Sequence, residues 1–391
     1  MPHLAEELAG WAPGFEPGTA DLALVERRLK DTLSVALAAR SHPMATLAAG
    51  LPDAARWAAV GHVLDFDDLH LPSTTHISVV CAPVVLATGG DARAYLAAAG
   101  VMARLGTALG WNHYAAGWHA TCTAGAPAAI GAGPALGLDG DGLTRALCLA
   151  LPAGGGLQWA FGTDTKSLTA LAALLREPGP EAVPGGLAVK IFPCCYAMRR
   201  PIGAVRRLLT EGAPDPEGIA SVTVHTPEAA VHPLIHHEPT TVLQGKFSLE
   251  YAAALLDGHP GFASFTDDNV RRAQAQRLTR LVRTETHAGG SGLLVGETTV
   301  TVAPADGTER RAALAVPPGA PELPPTGDEF AAKLADCGAD VPALLDGIDW
   351  PGAAALLRET LPGCRSDDRL KGAPRRGEAL STGAGRPAKT T

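Results

Sequence analysis

The sequence predicts a mainly α-helical protein with an α+β part, and three observations support this fold class. Between about residues 20 and 176 the chain is rich in alanine and leucine and carries apolar side chains at helical spacing. Between residues 187 and 320, short segments alternate apolar and polar side chains as β-strands do. Helical periodicity then returns from about residue 321. The α+β region therefore lies between two helical regions.

The first helical region, residues 1–186, divides into several predicted helices. Glycine clusters such as GLDGDG and AGGG separate them, because glycine favours turns over helix interiors. The predicted helices span 23–40, 92–110, 118–137, 141–152 and 166–176. The following segment, EPGPEAVPGG at 177–186, is typical of a linker, so we place the end of this region there.

The α+β region, residues 187–320, contains two segments with the alternation of β-strands. The first is SVTVHTP at 221–227, and the second is 297–316, in which Ala-Asp-Gly is able to close a hairpin. Helical patterns at 247–258 and 267–282 lie between these two segments. A small sheet packed against helices is the expected result.

Residues 321–364 are predicted to complete the helical part of the protein. They contain the stretches DEFAAKLADC, VPALLDGI and PGAAALLRETL, which again have helical spacing of apolar side chains. Residues 365–391 consist mainly of arginine, glycine, alanine, serine and threonine, with little apolar surface to bury. This composition predicts a disordered tail.

Composition excludes several classes of function. The 391 residues carry a net charge of −8 with a pI near 5.9, whereas a general nucleic-acid binder would show a basic face. The sequence has no apolar run of the ~18–20 residues that a membrane span needs, and no basic-then-apolar N-terminus typical of a signal peptide. The seven cysteines are scattered without CxxC spacing, which favours reduced thiols and a cytoplasmic location.

Charged and titratable residues are concentrated in HVLDFDDLHLPSTTH at 62–76, which holds three aspartates and three histidines. A carboxylate beside imidazoles provides groups that titrate on either side of neutral pH. We therefore predict an acid–base site in this segment. The side chains considered for it are Asp65, Asp67, Asp68, His70 and His76.

Two other interpretations of this segment are open. Aspartate-rich motifs on helices bind Mg²⁺, but such a site needs a second acidic cluster on a facing helix. Neither GLDGDG nor DGIDW is built in that way, so no metal site is predicted. A structural corner held by ion pairs or helix caps is the remaining alternative.

Three further segments contain candidate functional residues. His119 precedes a hydroxyl-rich turn and a small-residue helix, and Lys166 begins an apolar helix after a glycine turn. Arg199 and Arg200 begin a helix, where a guanidinium is able to bind a carboxylate with two hydrogen bonds. Taken singly, each of these residues is equally compatible with a structural or a solvated side chain.

Together, these residues supply carboxylate, imidazole and cationic groups. The chain contains no dinucleotide fingerprint, no P-loop and no nucleophile elbow. Such a set suits the removal of a proton next to a carboxylate in a small anionic molecule, so a carboxylate substrate is predicted.

The order of the motifs resembles that of the MmgE/PrpD family, which includes 2-methylcitrate dehydratase, cis-aconitate decarboxylase and an iminodisuccinate epimerase. The resemblance extends from about residue 20 to 345. It is carried by HVLDFDDLHLPSTTH, GWHATCTAGAPAAIGA, FGTDTKSL, VKIFPCCYA, QGKFSLEYAAALLDG and FTDDNVRR.

This resemblance implies a large helical domain formed by both ends of the chain, with a smaller α+β lid domain inserted between them. It also implies a homodimer and an active site without a cofactor. Matched residue by residue, the catalytic positions of the family fall on Asp65, His76, His119, Lys166 and Tyr251. Asp68, His70, Arg199 and Arg200 are the candidate substrate-binding residues.

The chain departs from the family pattern at several site positions. Leu69 stands where the family usually has threonine, and Arg199 stands where a histidine is usual; Ile77, Thr169 and Leu171 are further departures. The expected activity is that of a lyase, a dehydratase or decarboxylase, or of an isomerase such as an epimerase. A role in a specialised biosynthetic pathway is a further expectation. An inert relative that binds a carboxylate or a partner protein is the alternative.

Overall fold

The computed structural model describes residues 4–153, 182–258, 261–288 and 294–363. The predicted helix 166–176, with Lys166, and the predicted tail 365–391 lie outside the described residues. In the described part, helices predominate and one small sheet is present, so the prediction of a mainly α protein with an α+β part is confirmed. No described helix combines the length and apolar character needed to cross a membrane.

The first part of the chain forms helices connected by short turns. They are α1 (Leu4–Gly14), α2 (Thr19–Ala38), α3 (Pro43–Leu47), α4 (Asp53–His62), α5 (Ser78–Thr88), α6 (Ala92–Ala115), α7 (Ala120–Ala128) and α8 (Gly140–Ala153). The predicted helix 118–137 is shorter than expected, because after α7 the chain continues as a 3-10 segment, Ala129–Leu136. Pro127 and Pro134 lie in this stretch and lack the N–H that an α-helical hydrogen bond requires.

The remaining helices are shorter. They are α9 (Arg199–Thr210), α10 (Glu228–Val231), α11 (Val242–Gly245), α12 (Leu249–Ala254), α13 (Asp267–Val270), α14 (Ala273–Thr279), α15 (Gly327–Asp336), α16 (Val341–Leu344) and α17 (Trp350–Thr360). The predicted helix 267–282 is wrong as a single element. It is interrupted at Arg272, whose backbone is extended and whose guanidinium binds the buried carboxylate of Asp257 at 2.5 Å.

The sheet has four strands in the order β2-β1-β3-β4. They are β1 (Ile219–Pro227), β2 (Val282–His287), β3 (Thr298–Pro304) and β4 (Arg310–Leu314). The two predicted strand segments are confirmed as β1 and the antiparallel hairpin β3–β4. Strand β2, which the sequence analysis assigned to no strand, pairs in parallel with β1 at the sheet edge, and most of its side chains are exposed. An exposed edge strand does not require the apolar alternation that identifies buried strands.

Side chains from both ends of the chain pack into one cluster. Leu33 and Leu37 of α2 lie in it together with Val341 of α16 and Leu357 of α17. A second cluster joins the inner face of the sheet to α9, and a third is formed by α5, α6 and the start of the chain. The segment 63–77 between α4 and α5 lies among these elements, so its shape depends on parts of the chain that are distant in sequence.

A close approach at Gly106 of α6 positions this segment. A Cβ atom at Gly106 would lie 2.7 Å from Ser73 Cβ and 2.8 Å from Thr75 Cγ2, which is closer than carbon atoms pack. We therefore expect Gly106→Ala to lower the free energy of unfolding by about 1–3 kcal/mol, the usual cost of overpacking. Chemical denaturation would measure this. Gly10→Ala, in α1 with no atom near the new Cβ, is the control and is expected to be neutral or stabilising.

Candidate active site

Hydrogen bonds from three distant parts of the chain hold the backbone of the segment that follows α4. Lys246 Nζ donates to the carbonyl oxygen of Leu64 at 2.6 Å, and Lys333 Nζ donates to that of Phe66 at 2.9 Å. Leu69 and Ala188 exchange backbone hydrogen bonds in a short bridge. These contacts fix the backbone of the turn from Leu64 to Leu69.

Asp67 connects two histidines. Its Oδ2 atom lies 3.0 Å from His62 Nδ1 and 2.9 Å from His76 Nδ1, and the two imidazole rings meet edge to face with centroids 4.8 Å apart. Burial opposes the charge of Asp67, but the two histidines prevail and hold the pKa of its carboxyl well below the ordinary value. Asp67 is thus an ionised, buried carboxylate between two imidazoles.

The pKa of His62 is raised, chiefly by the negative charge of Asp67. Desolvation opposes this shift, and the hydrogen bond to Asp67 and the charge of Asp65 support it. The side chain of His62 is 45% exposed, so solvent reaches the ring directly. His62 therefore carries its proton to higher pH than a free histidine does.

Asp65 forms an ion pair with Lys190. The Lys190 ammonium also donates to the backbone carbonyl of Asp65 at 3.1 Å, and Lys190 is almost fully buried. Burial by itself would raise the pKa of Asp65, but Lys190 and then His76 outweigh it, so that the pKa is lowered. The second carboxylate oxygen, Oδ2, has no hydrogen-bond partner among the described residues. Asp65 therefore retains one oxygen for a further donor.

Lys246 is the second buried lysine beside these carboxylates. Desolvation lowers the pKa of Lys246, and the negative charge of Asp65 acts in the opposite direction. Lys246 lies between α11 and α12, and Lys190 lies in the chain before α9. Both ammonium groups belong to the α+β region and reach the turn after α4, so the cluster is assembled from two distant parts of the chain.

His119, at the N-terminal end of α7, stacks against His76 with ring centroids 6.2 Å apart and an interplanar angle of 16°. The hydroxyl of Thr121, on the same helix, accepts a hydrogen bond from the backbone N–H of His76 at 2.9 Å. His119 is exposed, but the surrounding protein desolvates the ring enough to lower its pKa to about 4, and charge on His76 and His62 acts in the same direction. His119 is therefore neutral near pH 7 and able to accept a proton.

Two predicted substrate-binding residues lie in the core instead. Asp68 accepts hydrogen bonds from the backbone N–H and the hydroxyl of Ser78 at the start of α5, and it is 1% exposed. His70 is fully buried; its two ring nitrogens contact Ser73 Oγ at 2.6 Å and the carbonyl oxygen of Pro184 at 2.7 Å. Their polar atoms are engaged by protein groups, so we do not include these residues in the proposed site.

The two arginines are also engaged by backbone groups. Arg199 is fully buried and donates to the carbonyl oxygens of Phe192 and Val189, while Arg200 donates to those of Leu294 and Val295. Burial lowers the pKa of both guanidinium groups. In this structure they stabilise loops, and the carboxylate-binding role predicted for them has no supporting contact.

Tyr251 lies in the core of the α+β region. Its hydroxyl donates to the carbonyl oxygen of Ser264 at 2.6 Å, and its ring packs edge to face on Phe265. Burial raises the pKa of Tyr251 to about 12. Among the described residues, the structure shows no contact between Tyr251 and the histidine cluster. Its catalytic role stays a prediction from the resemblance, as does that of Lys166, which lies outside the described residues.

The sequence analysis selected Asp65, His76 and His119, and the structure brings these three together. It missed His62, Lys190 and Lys246 as site residues, and it left Asp67 without a role. The sequence did contain an indication of these residues, because each of them lies inside a motif that carries the family resemblance. His62 begins the acidic segment, and the two lysines lie in VKIFPCCYA and QGKFSLEY.

The same cluster offers three atoms with the spacing of metal ligands. The ligand atoms of His62, Asp67 and His76 lie within 4.8 Å of one another. The buried ammonium groups of Lys190, which pairs with Asp65, and Lys246, which donates to the Leu64 carbonyl, lie on the same turn, and their positive charge opposes the binding of a cation. We therefore interpret these side chains as an acid–base group.

Comparison with protein-family models gives two matches in this chain. The model of the MmgE/PrpD N-terminal domain matches residues 52–175, and that of the MmgE/PrpD C-terminal domain matches residues 192–343. No curated protein matches the chain. The two matched ranges contain the turn after α4, the start of α7, and Lys246; Lys190 lies between them.

Proposed function

Because the chain belongs to the MmgE/PrpD family, we propose that it is a lyase or isomerase which transfers a proton at a carbon next to a carboxylate. The observation that carries this proposal is the convergence of His62, His76 and His119 in one cluster with the carboxylates of Asp65 and Asp67. Dehydration, decarboxylation and epimerisation all include such a proton transfer.

The charges of the cluster support a small anionic substrate. Lys190 and Lys246 are buried ammonium groups, and a substrate carboxylate that approaches them would gain electrostatic stabilisation in a region from which water is largely excluded. The free Oδ2 atom of Asp65 is placed to accept a proton or a hydrogen bond from the same substrate. His119, neutral near pH 7, and His76 are the proton-transferring imidazoles in this proposal.

The finer family features belong to the same proposal. We infer a homodimer, an active site that needs no cofactor, and a lid formed by the α+β region, residues 187–320, above a helical domain of 1–186 and 321–364. Packing of α2 against α16 and α17 supports the helical domain. Ion pairing of Lys190 with Asp65 supports a site between the two regions.

A panel of carboxylates in D₂O, followed by NMR, tests the reaction class. The panel contains 2-methylcitrate, cis-aconitate, citrate and iminodisuccinate analogues. Loss of water, loss of CO₂ or incorporation of deuterium next to a carboxylate is the expected result, and it should persist in EDTA because no metal takes part. Loss of activity in EDTA with recovery in Mg²⁺ would contradict the cofactor-independent mechanism.

One observation favours an inert binding protein as the second candidate. Leu69 and Arg199, which replace polar residues usual in the family, are both buried, and Arg199 donates its hydrogen bonds to backbone carbonyls, so neither supplies a polar group to the histidine cluster. Saturable binding of a carboxylate without exchange, across the whole panel, would support this candidate over the enzyme.

A further inference from the structure

A short turn joins the end of α6 to the start of α7, where His119 lies. Gly110 has a φ of +63°, so residues 111–115 form a separate helical turn at the end of α6. Gly117, with a φ of +89°, ends this helical turn just before His119. Such a left-handed backbone favours glycine, which has no Cβ atom. The position of His119 therefore depends on how the glycine turn is held.

His113 holds this turn from the preceding helical turn. Its carbonyl oxygen accepts a hydrogen bond from the N–H of Trp118 at 3.2 Å. The N–H of Gly117 donates to the carbonyl oxygen of Tyr114 at 2.9 Å. These are the two hydrogen bonds of a Schellman motif, which is often completed by a side-chain contact across the turn. The rings of His113 and Trp118 make that contact, with centroids 6.3 Å apart and an interplanar angle of 25°.

The same ring reaches the first turn of α7. His113 Nε2 lies 2.9 Å from the hydroxyl oxygen of Thr123, and this hydroxyl donates to the carbonyl oxygen of His119 at 3.4 Å. A threonine hydroxyl has only one proton, so Thr123 is left to accept the Nε2–H of His113. Desolvation lowers the pKa of His113, which keeps its ring neutral near pH 7. The ring therefore carries its single proton on Nε2.

His113 thus contacts the chain on both sides of His119, at Trp118 before it and at Thr123 after it. The first turn of α7 is also joined to the acidic segment, because the hydroxyl of Thr121 accepts the backbone N–H of His76 at 2.9 Å. A displacement of the start of α7 would therefore move His119 relative to the ring of His76, on which it stacks.

We propose that His113 is a positioning residue that holds the start of α7, and with it His119, against His76. This inference rests on the proposed function, in which His119 transfers a proton. Among the described residues, the contacts of the His113 side chain are with Trp118 and Thr123 and not with the carboxylates or lysines of the cluster. His113 therefore acts through His119.

The direct test is an NMR spectrum of the protein with ¹³C-labelled histidine rings, recorded without substrate. The signal of His119 is assigned by its loss in His119→Ala. In His113→Phe, which keeps an aromatic ring but loses the hydrogen bond to α7, the His119 signal should shift, because the ring current of His76 acts on it most strongly when the rings are stacked. Thr123→Val should shift the signal in the same direction. His225→Phe, at an exposed position of β1, is the control and should leave it unchanged.

Kinetics with a transformed carboxylate show whether His113 acts through His119. His113→Phe should lower kcat by about 10–100-fold with a smaller change in KM, because misplacing a reacting group by about 1 Å has an effect of this order. In the His119→Ala background, the same change should lower kcat by less than about twofold, since the group that it positions is already absent. A merely structural role would lower the melting temperature and would lower kcat by the same factor in both backgrounds.

An unmoved His119 signal in both His113→Phe and Thr123→Val would overturn this inference, whatever the activity. If His113→Phe does not fold, Thr123→Val decides alone, because it removes the same hydrogen bond and leaves the histidine rings intact. A shifted signal in a protein that transforms no carboxylate would contradict only the proposed function and would leave the positioning of His119 in place.

Discussion

Replacing His119 by alanine is expected to lower kcat by about 10²–10⁴-fold, the usual contribution of one general acid or base. His119 is exposed at the start of α7, stacks on His76, and its lowered pKa keeps it neutral at the pH at which a base is needed. His76→Gln is expected to have an effect of similar size. Both variants are measured with whichever carboxylate of the panel is transformed by the unmodified protein.

Folding must be measured in parallel, because His76 is largely buried and its replacement also removes its contacts with Asp67 and His119. A thermal melt of each variant separates the two effects. His119→Ala should keep the melting temperature, since the ring is exposed and its side-chain hydrogen bond is only a 3.7 Å contact with Cys122. His225→Ala is the matched control, with turnover near that of the unmodified protein. Full activity in both cleft variants would show that the histidine cluster is architectural.

Replacing Lys333 by methionine is expected to lower the free energy of unfolding by about 3–5 kcal/mol, as is usual when one partner of a buried ion pair is removed. Lys333 of α15 pairs with Asp31 of α2, and both side chains are 1% exposed. Without Lys333, the Asp31 carboxylate keeps, among the described residues, one cationic partner, Arg28 at 3.8 Å. The Phe66 carbonyl also loses its donor, so the turn that carries Asp67 loses one of its supports.

Arg40→Met is a matched control for this experiment. The Arg40–Asp340 ion pair also joins the end of α2 to the C-terminal helices, but its partners are 36% and 54% exposed. Its loss should change the free energy of unfolding much less than the loss of Lys333, because water screens an exposed pair. Urea denaturation measures both variants. In Asp31→Asn/Lys333→Met, the buried Asp31 carboxylate is removed together with its ammonium partner, so part of the stability should return; the remaining loss reflects Arg28, which then lacks the carboxylate at 3.8 Å. Equal small effects of Lys333→Met and Arg40→Met would contradict the importance of the buried pair.

The parts of the fold that the sequence predicted correctly are those governed by local periodicity. The helix predicted at 23–40 is α2, and the alternation at 221–227 and 297–316 gives β1 and the hairpin β3–β4. Strand β2 could not be found in this way. Its six residues are mostly polar and exposed, and they form a strand because β1 offers unpaired backbone groups beside them.

The candidate site shows the same division. The acidic segment predicted that titratable groups gather at 62–76, and the family resemblance selected Asp65, His76 and His119. It did not predict that Lys190 and Lys246, more than a hundred residues later in the chain, would supply the cations of the cluster. The arginines chosen for that purpose bind backbone carbonyls instead.

The sequence by itself determined which chemical groups this protein concentrates after α4, the helical character of most of the chain, and its membership of a family. Only the tertiary structure decided which of those groups meet in one cluster and which are bound in the core. Asp67 and Asp68 are neighbours, yet Asp67 joins two histidines while Asp68 accepts hydrogen bonds from Ser78 in the core. The physical reason is that no local periodicity sets the direction of these side chains. It is set by hydrogen bonds to the backbone of the turn from Lys246, Lys333 and Ala188, which reach the turn only when the chain has folded.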